Sequence, residues 1–397
     1  MHPMLPALRW WMLVAALLAC VAACAEQDEV PEPAQSCVGQ PFHDPEHAPC
    51  DWLSHYGLFE GFDERGWPVP AAGTFVYTLN TSLFTDDTLK LRTIRLPAGA
   101  GPMRYHPELP FEFPVGTVIT KTFAVGEDLR DPNTPVRLLE TRLLIRREQE
   151  WFAAPYEWDL ARMDARHRSI GRTGISIAWT DASGQARSTE AYAIPARTEC
   201  GHCHRERRTF DVIGPKARHL NGPSGWDPEI TNQLTHWAAA GLLEGLPADL
   251  ASLPRNARAF DPQSGDLDER ARAWLDINCA HCHNDTSEVA ASGLDLRPTV
   301  FDIGRLGVCK SPSAAGADGS GGLRFDLIPG HPDESILVYR VAQDITNSIA
   351  MMPRLGRSVV EAPAVELLRA WVTWLGTPEA EARYPGITRA SCIPETP

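Results

Sequence analysis

Apolar and polar positions alternate along much of the chain between residues 52 and 195. Within residues 117–125, Ile119, Phe123 and Val125 fall on one side of an extended segment, and Leu139, Leu143 and Ile145 repeat the spacing. Residues 73–79 and 174–179 carry the same signature, and Asp181-Ala-Ser-Gly184 after the second predicts a hairpin turn. These pieces predict a β-rich domain over 51–195, a sandwich or a twisted antiparallel sheet, whose aromatic residues serve as core. Past residue 262 the period becomes helical. Leu267, Ala271, Trp274 and Leu275 form one stripe, with Asp266 and Glu269 spaced as a capping box. Pro363 suits the first turn of a second helix with Val365, Leu368, Trp371, Val372 and Leu375 on its apolar face, stopped by Gly376 and Pro378. The fold class is therefore α+β and multidomain: the sandwich-like β-rich part, then a mostly α-helical part over 263–380 and a tail over 381–397. Residues 196–262 read as irregular apart from a short helix at 237–243, and 314–322 as a flexible surface loop.

The first residues follow neither pattern. Arg9 precedes an apolar run over 10–23, which suits a signal peptide and is short for a bilayer span. Val21-Ala-Ala-Cys24 resembles a lipobox, with Leu17-Leu-Ala-Cys20 as a poorer match and a plain cleaved signal as the alternative. The expectation is a signal over 1–23, lipidation at Cys24, and an acidic, proline-rich tether over 24–50. Ala25 after Cys24 favours the outer membrane, facing the periplasm. A formal charge of −14 argues against nucleic acid or an anionic membrane surface as partner, leaves the lipid anchor as the only membrane contact, and permits docking on a basic patch of a redox partner protein. In an oxidising compartment the even remainder Cys37, Cys50, Cys309 and Cys392 suggests two disulfides. Three pairings are open; Cys37 with Cys50, and Cys309 with Cys392, is the one expected.

The chemistry lies in the remaining thiols. Cys200-Gly-His-Cys203-His204 and Cys279-Ala-His-Cys282-His283 each place two thiols three residues apart with a histidine next in line, the arrangement that binds haem covalently and supplies an axial nitrogen. A zinc ribbon pairs two such motifs at roughly 15 to 20 residues, far less than the stretch between these. A thioredoxin-like pair gives no reason for the repeated histidine. Two covalent haem c groups are expected, with His204 and His283 as iron ligands. Met352, directly before Pro353, is the expected distal ligand of the second haem, with Met351 as runner-up. His219 is the candidate distal ligand of the first, with His236, Met163, His167 or an open iron as alternatives. His202 and His281 lie inside the motifs without a ligand role.

Several segments then carry a resemblance. Leu53-Ser-His-Tyr-Gly-Leu-Phe59, Ser82-Leu-Phe-Thr-Asp-Asp87, Phe113-Pro-Val-Gly-Thr117, Glu140-Thr-Arg-Leu-Leu144, Ile213-Gly-Pro-Lys-Ala-Arg218 with Leu220-Asn221, the run from Arg270 to His283, and Met351-Met-Pro-Arg-Leu-Gly356 together resemble a family of exported bacterial dihaem c-type cytochromes. The resemblance spans nearly all of the mature chain and implies haem binding and electron transfer in the cell envelope. The two predicted helices around the second motif also resemble the skeleton of a class I cytochrome c. An electron carrier is expected in preference to an enzyme. The alternatives are a peroxidase-like dihaem oxidoreductase with one open iron, and a β-domain binding module coupled to electron delivery by haem.

Overall fold

The alternation beginning near residue 73 becomes one six-stranded antiparallel sheet in the computed structural model, which describes residues 48–206, 209–387 and 392. The strands are β1 (Thr74–Tyr77), β2 (Leu89–Arg95), β3 (Val118–Gly126), β4 (Val136–Arg146), β5 (Trp151–Asp159) and β6 (Asp164–His167), and they neighbour one another in sequence order. A hairpin of β7 (Arg172–Thr180) and β8 (Ala186–Ile194) follows, turning through Asp181 to Gly184 as expected. The chain combines this β-rich region with separate helices, an α+β architecture.

Strand periodicity gives the sheet two different faces. One buries Leu91, Val118, Ala124, Leu138, Leu143, Ile145, Ala154 and Tyr156 against Leu53, Leu58 and Trp67. The other is apolar only at its ends. At one end Ile94, Ile119 and Trp151 pack with Trp237, Leu234 and Leu220 from residues 196–262, so that region lies on the sheet. At the other, Val125 and Leu139 pack with Ile177, Trp179 and Tyr192 of the hairpin.

Leu139 departs from its expected side. The register pairs Phe123 with Glu140 and then Ala124 with Leu138, so Leu139 is the extra residue of a bulge. Leu143 and Ile145 face the Leu53 side, while Leu139 packs beneath the hairpin.

The helical part matches its pattern closely. Short α1 (Arg197–His204) and α2 (Gln233–Ala239) precede α3 (Leu267–Asn278), α4 (Ile336–Val341) and α5 (Ala362–Leu375). Asp266 and Glu269 form the expected capping box on α3. Trp274 and Leu275 of α3 and Leu368, Trp371 and Val372 of α5 share one core, each such side chain contributing about 1.5–3 kcal/mol by burial. Trp371 Nε1 and the Tyr384 hydroxyl both donate to buried Asp268, which satisfies their polar ends.

Two readings shift. The helix expected at 237–243 runs from Gln233 to Ala239, because the Asn232 side chain caps it by accepting from Leu234 N and Thr235 N and Gly241, at φ 71, follows its end. Within 314–322, Gly316–Ser320 forms a helical turn, and at Gly321, φ 62, a Cβ would lie 2.5 Å from the Tyr339 ring.

Cys309 and Cys392 form the expected disulfide. Cys50 is disulfide-bonded as well, whereas its expected partner Cys37, the signal over 1–23, Cys24 and most of the tether lie outside the described residues. Among the described residues no helix is long and apolar enough to cross a membrane.

Candidate functional site

Each thiol motif occupies one helical turn. Cys200, Cys203 and His204 lie within α1. Cys279 caps the C-terminus of α3, and the amides of Cys282 and His283 both donate back to its carbonyl, at 3.0 and 2.8 Å, which continues the turn. A helical turn sets thiols three residues apart on one side and carries the next residue with them. All four cysteines are free thiols and half-buried.

The fold closes the sequence gap between the motifs. Cys203, His281 and Cys282 bring one ligand atom each within 4.8 Å of one another, and Cys282 Sγ lies 3.8 Å from the His202 carbonyl oxygen. Glu288, just beyond the second motif, reaches Arg205 at 3.2 Å and His202 at 3.8 Å. Within the thiol pair a hydrogen bond lowers Cys203 and raises Cys282. Burial pushes Cys279 up to about 12 and also raises Cys200.

Both terminal histidines are held through Nδ1. His204 Nδ1 lies 3.1 Å from the Asp211 carbonyl oxygen, its ring stacked on Phe210 at 5.4 Å and 8°. His283 Nδ1 lies 3.3 Å from Ser292 Oγ. Nε2 of each makes no hydrogen bond among the described residues. Burial lowers both to about 4, so each ring is neutral near pH 7, the state in which imidazole can bind a metal. Among the described residues Cys200 and Cys279 are not part of this three-residue group.

The remaining candidates are dispersed. The backbone of Met352 is fixed: its N donates to Arg340 O at 3.1 Å and its carbonyl accepts from Arg357 Nη2 at 2.6 Å. Arg340 also acts by charge on His283, and Arg357 on Cys279, which puts this loop beside the second motif. Met352 is half-buried, and Met351 is buried at 1 % exposure. His219 is buried, with Nε2 3.0 Å from Asp276 Oδ2; Nδ1 is what it has left to offer a metal. Asp276 also accepts two bonds from Arg218 and one from Asn256 Nδ2, so His219 belongs to a tie between α3 and residues 217–220. His167 lies opposite Tyr156, on the Leu53 face of the sheet, with Nε2 buried and unpartnered. His236 and Met163 are exposed.

Four cations form a group that sequence reasoning missed. Lys90, Arg92, Lys121 and Arg142 lie on the sheet face between the two apolar ends, around the ring of Phe123: Lys121 Nζ is 4.7 Å from its centroid, the Arg142 guanidinium carbon 4.4 Å and Lys90 Nζ 6.0 Å. Burial lowers Lys121 well below its ordinary value and Lys90 to about 7. The helix α1 packs against β5, the strand beside the one that carries Arg142, and Arg142 acts by charge on Cys200 and Lys121 on His204, so the first motif lies near this row. A signal was present in the sequence: Lys121 falls between Ile119 and Phe123 on the side expected to be apolar.

Comparison of the chain with protein-family models, curated proteins and solved structures finds no match.

Proposed function

We propose that the protein is a dihaem c-type cytochrome that passes electrons in the bacterial cell envelope. The observation that carries this reading is the repeated local geometry: in both motifs two reduced thiols share a helical turn with a neutral histidine whose Nδ1 is tied and whose Nε2 is free. A metal-bound histidine commonly makes such a bond through its other nitrogen, which fixes the tautomer and the ring. The residues thus fit the group. Cys200, Cys203, Cys279 and Cys282 are the anchors, and His204 and His283 hold iron from one side. Met352 would be a further ligand of the second haem, and His219, through Nδ1, would be the candidate for the first. A bound haem supplies a one-electron couple, and sulfur opposite histidine raises its potential. The chain contributes the contact between the motifs, which would bring the two redox groups near each other, and the helical core of α3 and α5 behind the second. Export to the periplasm, anchoring through Cys24 and a redox partner protein complete the proposal.

Protein from cells with a c-type maturation system, analysed by pyridine haemochrome and intact mass, should carry two covalent haems. Both should be low-spin, and a methionine-to-iron band should vanish in Met352→Ala. One haem overturns the dihaem reading; two haems with one high-spin favour a dihaem oxidoreductase.

A second reading rests on Cys203, His281 and Cys282, whose donors suit one zinc-like ion shared by the motifs. It leaves Cys200, Cys279, His204 and His283 without a role, so the haem reading uses the site more fully. Bound zinc with no covalent haem would favour the shared ion.

A further inference from the structure

The cations near the first motif have too few partners within the chain. The sheet register sets Arg92 opposite Lys121 and Lys121 opposite Arg142, three like charges side by side across adjacent strands, with Lys90 two residues along β2. Like charges directly opposite destabilise a sheet, and burial adds to the cost.

The nearby carboxylates serve two of the four cations: Glu140 pairs with Arg142, and Glu361, Asp87 and Asp86 act by charge on Lys90, which leaves Arg92 and Lys121. Glu140 takes Arg142 through both oxygens and also accepts from the Tyr192 hydroxyl. Asp86 accepts from Ser358 and Val359, Asp87 from Trp179, and Glu361 from Trp274. Lys90 donates to the Thr88 carbonyl, at 2.6 Å, and has Glu361, Asp87 and Asp86 acting on it by charge. Among the described residues Lys121 Nζ has no hydrogen-bond partner. Arg92, 8 % exposed, has Nη2 buried and unpartnered. Apolar clusters close both ends of this face along the strands, while Lys90, Lys121 and Arg142 remain partly exposed. Near it lie Cys200 and His204 of α1, which packs against β5.

We infer that Arg92 and Lys121 seat the two carboxylates of the haem anchored at Cys200 and Cys203. A macrocycle bound there brings two negative charges to a place where the chain has left about two cations unmatched. The inference rests on the dihaem reading and adds what orients the first group on the sheet. The second motif has separate cations, Arg340, Lys310 and Arg357.

The test uses holoprotein from cells with c-type maturation, comparing wild type with Lys121→Met, Arg92→Met and Lys121→Arg by haem count and spectroelectrochemical titration, with and without inorganic phosphate. The expected result is two haems throughout. One of the two redox transitions should move to lower potential in each Met variant, because carboxylates relieved of their cation stabilise oxidised iron, and Lys121→Arg should restore it. Two haems with both transitions unmoved in both Met variants would overturn the seat and leave the dihaem reading standing. A wild-type transition that shifts with phosphate, and a Met variant that ignores phosphate, would assign the row to a free anion and also overturn the seat. Wild type without haem at Cys200 and Cys203 would overturn both readings.

Discussion

Glu361 shows how far one residue's surroundings can set its charge. It lies at the start of α5 and accepts from Trp274 Nε1 at 2.8 Å, and burial raises its carboxyl to about 7 from an ordinary 4.5. Between those values the folded chain keeps a proton that the unfolded chain releases, so stability falls as pH rises from 4.5 to about 7 and is level above. Glu361→Gln keeps an acceptor for the indole and removes the buried charge. Its melting temperature should exceed that of wild type at pH 8 and vary less with pH across this window; equal slopes would contradict the assignment. Ser292 is a second informative residue. Ser292→Ala removes the partner of His283 Nδ1, and loss of such a partner costs about 10–100-fold in metal affinity or activity elsewhere. In holoprotein it should shift the redox transition of one haem and leave the other in place.

Elements are joined by polar ties as much as by apolar packing. Asp276 on α3 accepts from Arg218, His219 and Asn256. Burial alone would raise its carboxyl, but the Arg218 hydrogen bonds and His219 hold it well below the usual range. Asp276→Ala leaves Arg218 buried without its carboxylate, and the loss should be about 3–5 kcal/mol by chemical denaturation. Much at this scale was legible in the sequence. The capping box at Asp266, the apolar face of α5 and the hairpin at Asp181 are local patterns, and local patterns survive folding. The bulge at Leu139 was not legible, since periodicity alone cannot announce an inserted residue. Nor was the start of α2, where the Asn232 cap outweighs the apolar run that suggested a later helix. For His219 the nearness of His204 in sequence suggested a ligand; its Nε2 bond to Asp276, distant in sequence, adds a role in joining two segments that the sequence did not announce.

At the scale of the whole molecule, the thiol motifs could be read one at a time but their contact could not. Their separation in sequence argued against a shared site, and only the tertiary fold sets Cys203 beside Cys282. The cationic row has the same character: its strands are separate in sequence, and the charges meet only through the register. The Cys309–Cys392 bridge closes a loop with a sequence separation of 83. Replacing both residues by serine should lower stability by about 2–4 kcal/mol, read as a drop in melting temperature. The contact between Cys203 and Cys282 has a further consequence under the proposed export. Under the proposed function, in an oxidising compartment, two neighbouring thiols invite a crosslink, so haem attachment would compete with oxidation of Cys203 and Cys282. A chain exported without the attachment machinery should accumulate a Cys203–Cys282 crosslinked peptide in a non-reducing map, a dead-end product that later addition of haem does not rescue until the bond is reduced.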